Sequence, residues 1–136
     1  MRTPIKTPIR NRLLVIPVTA VLLLLPLAGS TYAHHATASF DMTNSSTVKG
    51  TVTGFDWTNP HAYIYLDVKD AQGAIEKWSV EMGTIGMLAR AGWKRDTVKA
   101  GDEITVTGNR ARDGKPFLRL IKLVFADGRE LTPNVQ

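Results

Sequence analysis

Residues 62–81 read Ala62-Tyr63-Ile64-Tyr65-Leu66-Asp67-Val68-Lys69-Asp70-Ala71-Gln72-Gly73-Ala74-Ile75-Glu76-Lys77-Trp78-Ser79-Val80-Glu81, and they decide the fold class. From Ala62 to Lys69 the side chains alternate. Ala62, Ile64, Leu66 and Val68 fall on one face, and Tyr63, Tyr65 and Asp67 on the other, the period of a half-buried strand. Asp70-Ala71-Gln72-Gly73 carries turn chemistry, so a further strand is expected from Ile75 to Glu81.

Upstream, a strand begins at Thr47, with Val48, Val52 and Phe55 on one side and Lys49, Thr51 and Thr53 on the other. Thr58-Asn59-Pro60 ends it, because proline fixes its own φ and pushes Asn59 to an extended shape. Downstream, Thr84 can cap a short helix bearing Ile85, Leu88 and Ala89 on one face and Met87 turned inward. Gly86 weakens that helix and Gly92 supplies its left-handed stop. Ala100-Gly101-Asp102 leads into a fourth strand, Glu103 to Asn109. Asp113-Gly114-Lys115-Pro116 turns into a fifth, Phe117 to Phe125, and Asp127-Gly128 precedes a frayed tail.

Three strands, a helix and two strands is the order of a five-stranded barrel of the oligonucleotide/oligosaccharide-binding (OB) type, with the helix between strands three and four. Such a closed sheet leaves no exposed edges, and a sandwich or open half-barrel is the alternative. The architecture hosts many functions and fixes none.

The first 12 residues hold Arg2, Lys6, Arg10 and Arg12 and no acid. An apolar run from Leu13 to Leu27 follows, interrupted by Pro17, Thr19 and Pro26, and then Thr31-Tyr32-Ala33 with small residues where a signal peptidase cuts. An uncleaved anchor would need about 20 apolar residues free of such prolines. The expected organisation is therefore a cleaved signal (1–33), an extended arm anchored by Phe40 (34–46), a barrel domain (47–131) and a tail (132–136). The location would be periplasmic or secreted, with no stable membrane anchor after cleavage.

Cleavage removes four of the 17 Lys and Arg and none of the 12 Asp and Glu, leaving 13 against 12 in 103 residues. No basic stripe remains to neutralise phosphates, so a nucleic-acid partner is set aside. One compact core fits that length. Cysteine is absent, so a metal would be held by His, amine, carboxylate or Met.

The chain has three histidines, His34, His35 and His61. Cleavage after Ala33 makes His34 the first residue, with an α-amine beside its imidazole, and His61 could complete a nitrogen set suited to Cu(II). Asp41 or Asp67 could add a weak oxygen ligand, and Met42 or Met82 a soft sulfur. The plain alternatives are residue choice at a cleavage site and a ring that caps the Asn-Pro turn. Geometry also opposes the site. One strand of about 10 residues, roughly 33 Å, separates the arm from the His61 turn, so the arm must fold back along the barrel.

Ala33-His34-His35, Phe40-Asp41, Lys49-Gly50-Thr51-Val52, Trp57-Thr58-Asn59-Pro60-His61, Gly92-Trp93 and the run Gly101 to Gly108 resemble a family of small exported bacterial proteins known as a domain of unknown function. The resemblance spans essentially the whole mature chain. It implies a periplasmic location and this fold, and no established activity.

Three functions are carried forward. The first is a Cu(II)-binding or carrier module using His34, His35 and His61, with a metal ion as its partner. The second is a non-metal interaction module in which Trp57, Tyr63, Tyr65 and Trp78 form a stacking platform for a peptide, a sugar or an envelope protein. Its competitor is that the tryptophans fill the core. The third, ranked last, is a copper monooxygenase. Otherwise no enzyme is expected: Glu76 and Glu81, an odd number apart, point to opposite faces and make no carboxylate pair.

Overall fold

The computed structural model describes residues 38–134. The element order is β1 (Phe40–Asp56), β2 (Tyr63–Lys69), β3 (Ile75–Glu81), α1 (Ile85–Arg90), β4 (Glu103–Ala111), β5 (Phe117–Phe125) and β6 (Glu130–Leu131). Among the described residues the protein is mainly β with one short helix.

The hairpin β2–β3 forms where the alternation placed it. Gly73, at φ 86°, takes the left-handed position, and the Asp70 carboxylate accepts from the amides of Gln72 and Ala74. That turn sets the register, Lys69 opposite Ile75 and hence Tyr63 opposite Glu81. Beyond the ladder, Ala62 and the Met82–Gly83 backbone exchange two further hydrogen bonds.

β1 is long and serves two partners. Its first part pairs with β4 and its last part with β2, and Thr51 faces both Glu103 and Asp67. At Gly50 the strands come so close that a Cβ would sit 2.7 Å from the Asp67 carbonyl oxygen, which is why a glycine stands there. β4 pairs with β5, and β5 returns to β3 in parallel through Ser79↔Phe117, Val80↔Leu118 and Glu81↔Arg119. Five strands thus form a ring, β3-β2-β1-β4-β5, with β6 attached to β5.

The ring encloses the inward-alternating residues Val52, Ile64, Leu66, Trp78, Val80, Ile104, Val106, Leu118 and Leu123. Leu88 of α1 and Trp93 and Val98 after it complete the core. Burial of each such aliphatic chain contributes about 1.5–3 kcal/mol before conformational entropy is counted. Thr84 Oγ1 accepts from the Met87 amide, and Gly92 (φ 89°) ends the helix as expected. Six residues make fewer than two turns, so only Leu88 is fully buried; Ile85 and Met87 are half-buried and Ala89 faces solvent.

Several bounds differ from expectation: β2 starts at Tyr63 rather than Ala62, β4 runs on to Ala111 rather than ending at Asn109, Glu130–Leu131 form a sixth strand, and both ends of the domain are more ordered than expected. β1 starts at Phe40, inside the segment expected to be an arm. The ladder skips from Phe40↔Ala111 to Ser45↔Asn109, and the Asn109 amide bridges the gap by donating to the carbonyls of Asp41 and Asn44. The tail is held rather than frayed through Pro133: Trp93 Nε1 donates to the Thr132 carbonyl at 2.7 Å, and Pro133 is buried.

Candidate functional site

The outer face of β2–β3–β5 carries the features that the core does not explain. On β3, Trp78 and Val80 point inward while Ser79 and Glu81 point outward, yet the Glu81 side chain is only 9% exposed. β3 lies between β2 and β5, and rings from those two flanking strands reach over it. Tyr63 and Phe117 approach to 6.4 Å between centroids at 24°. Phe40 packs edge-on against Phe117 at 5.0 Å and is 1% exposed, although it is no member of the main core cluster.

His61 closes the remaining side. It stands in the β1–β2 loop after the cis Asn59–Pro60 bond, and its Nδ1 lies 2.7 Å from Glu81 Oε1. In the neutral imidazole this contact puts the proton on Nδ1, donated to the carboxylate, and leaves the lone pair on Nε2. A histidine held from behind by a carboxylate is the arrangement that orients metal-ligating imidazoles. Opposite Glu81, the Tyr63 hydroxyl has its pKa raised, first by burial and then by the Glu81 charge.

His34 and His35 lie outside the described residues. Among the described residues, no group of three or more His, Cys, Asp and Glu is placed to hold a metal ion. Of the auxiliary ligands, Met82 is buried in the core and the Asp67 carboxylate is taken by Lys77 at 2.6 Å. The Asp41 carboxylate accepts from the Thr43 amide and hydroxyl and from Asn44 Nδ2, bonds that lower its pKa to about 2. Met42 alone of these four stays exposed.

Both ends of β1 meet elements of this face. β1 curls with the ring. Its last residue reaches this face by pairing with Tyr63, and its first by the contact of Phe40 with Phe117.

The aromatic platform is also composed differently from expectation. Trp78 is core, 5% exposed, with Arg110 stacked on it and its Nε1 donating to Glu76. Trp57 packs against the core and lies edge-on to Phe55 at 5.6 Å, so it does not join the tyrosines. Tyr63 and Tyr65 instead share with Phe117 a cleft of about 340 Å³, completed by Lys77, Ser79, Lys115 and Pro116. A larger cleft of about 530 Å³, around Lys49, Asp67, Lys69 and Glu103, contains no aromatic ring, and its Lys49–Glu103 pair is exposed. Sequence reasoning missed Glu81 and Phe117. Counting back from the Asp70–Gly73 turn would have placed Glu81 opposite Tyr63.

The class so defined is a small, mainly β domain whose five strands close into a ring and whose first inter-strand loop presents a histidine braced by a buried carboxylate. The chain belongs to a family described as "Family of unknown function (DUF6152)", whose model matches residues 21–117. The matched span includes His34, His35, His61 and Glu81 and ends on Phe117. No match was found among curated proteins or among solved structures.

Proposed function

We propose that the protein is exported, loses residues 1–33, and binds or carries Cu(II) in the periplasm through the new N-terminal amine, His34, His35 and His61. The observation that carries this reading is the 2.7 Å contact between His61 Nδ1 and Glu81, which leaves Nε2 as the donor. The start of β1 beside this face, through the contact of Phe40 with Phe117, supports it. The fold belongs to the same proposal: the ring order with a parallel β3–β5 closure and a helix between β3 and β4 is read as a barrel of the OB type. The reading claims binding, not turnover.

The test begins with the mass of the exported protein, expected to start at His34; a terminus beyond His35 overturns amine chelation. Cu(II) titration of that protein then compares three forms. One Ala inserted before His34 separates the amine from its imidazole, and His61→Ala removes the distant donor. Each change is expected to weaken binding by about 100-fold or more with the fold intact, and affinity should fall as pH drops because every donor must lose a proton. Unchanged affinity in His61→Ala would overturn the shared site and leave only a copper-binding terminus.

A further inference from the structure

We infer that the cleft on the outer face of β2, β3 and β5 binds a neutral oligosaccharide, stacking a sugar ring on Tyr63, Tyr65 and Phe117. The proposal goes beyond the metal reading and stands without it.

The three rings are half-buried on the side of the sheet that does not face the core. They present flat apolar surface that the domain's own packing leaves partly open. The rim around them is polar without carrying a net field. Lys77 Nζ lies 2.6 Å from Asp67, and Lys115 Nζ lies 2.9 Å from Asp113, so each rim ammonium already has its own carboxylate. The Lys115 pair holds the Asp113 carboxyl below its ordinary range and the ammonium above it, each chiefly through their hydrogen bond.

An anionic ligand would have to displace two aspartates and gains nothing from a compensated rim. A cationic one would meet two lysines. A neutral ligand keeps both pairs intact and still finds donors on the ammoniums and a hydroxyl, donor or acceptor, on Ser79. The chemistry that uses an aromatic floor and such a rim together is a pyranose, apolar on its C–H face and hydroxyl-bearing at its edge. The volume, about 340 Å³, is at the lower end of the roughly 300–1,000 Å³ usual for ligand sites and suits one or two rings.

The exported protein, stripped of metal with EDTA, is titrated with cellotetraose, N-acetylchitotetraose, tetra-alanine and tetra-glutamate, and followed by amide chemical shifts. At least one sugar is expected to shift Tyr63, Tyr65, Ser79 and Phe117 at concentrations up to about 10 mM. Tyr65→Ala should weaken that binding about tenfold while Tyr65→Phe, which keeps the ring and loses only the hydroxyl bond to Asp56, should retain it. His61→Ala should leave it unchanged, so failure of the copper site and failure of this one are read separately. Shifts caused by a peptide and by neither sugar, the absence of any shift in the cleft, or equal binding by Tyr65→Ala would overturn the proposal.

Discussion

β3 has two faces built on opposite rules, separated by one residue along the chain. Inward, Trp78 and Val80 are buried because the ring closes around them. Outward, Glu81 is buried between Tyr63, its register partner on β2, and Arg119, its register partner on β5, with His61 against its carboxylate. The inner face stabilises the domain through apolar area. The outer face keeps a carboxylate dry beside an imidazole, an arrangement that favours orientation over stability.

That contrast is broken or sharpened by substitution on each side. The largest effect belongs inside: Trp78→Ala should cost about 3–5 kcal/mol in urea unfolding, because it empties the ring and removes the surface under Arg110. A loss under about 1 kcal/mol would mean that the core does not rest on this residue. Outside, Glu81→Gln keeps shape and removes charge. It should change unfolding by no more than about 1 kcal/mol while weakening Cu(II) about 10–100-fold, since the brace behind His61 is lost. Equal Cu(II) affinity in the variant would show that the carboxylate does not orient a ligand.

The smallest effect lies just after Phe40, where the Asp41 carboxylate is held by hydrogen bonds from its chain neighbours. The Asp41 carboxyl, ordinarily at 3.8, titrates in the fold at about 2 because Asn44 and Thr43 donate to its ionised form. A depressed carboxyl contributes stability that is present above about 4 and is lost as pH falls through about 2. Carboxyl carbon shifts should place its midpoint near 2, and Thr43→Ala should raise it toward 3.8. An Asp41 that titrates normally would mean that the bulge is not held by these bonds.

What the sequence made legible follows the same division. β3 and β5 have the bounds expected, because the turns Asp70–Gly73 and Asp113–Pro116 are written in local sequence just before each strand. The helix cap and its glycine stop were legible for a similar local reason. The start of β1 was not: Asp41, Thr43 and Asn44 break the alternation, and the strand resumes only because Asn109, 65 residues away from Asn44, bridges the gap. Phe117 was read only as the first residue of β5, since nothing local tells that β5 will lie beside β3. The parity of Glu81 was legible, but its burial depends on that same distant pairing. Trp57 falls after the last paired residue of β1, where strand periodicity no longer says which way a side chain turns.

The ring is closed by three register pairs between β3 and β5, against seven between β2 and β3. The seam is short, and its backbone carries Ser79, Glu81 and Phe117, the residues of both proposed sites. Sub-global opening starts where the fewest hydrogen bonds must break. The amides of this seam should therefore exchange with deuterium before those of the β2–β3 hairpin. Anything that grips Phe117 from β5 and Tyr63 from β2 at once works as a clasp across that seam, so occupancy of this face would be felt around the whole circumference as slower exchange.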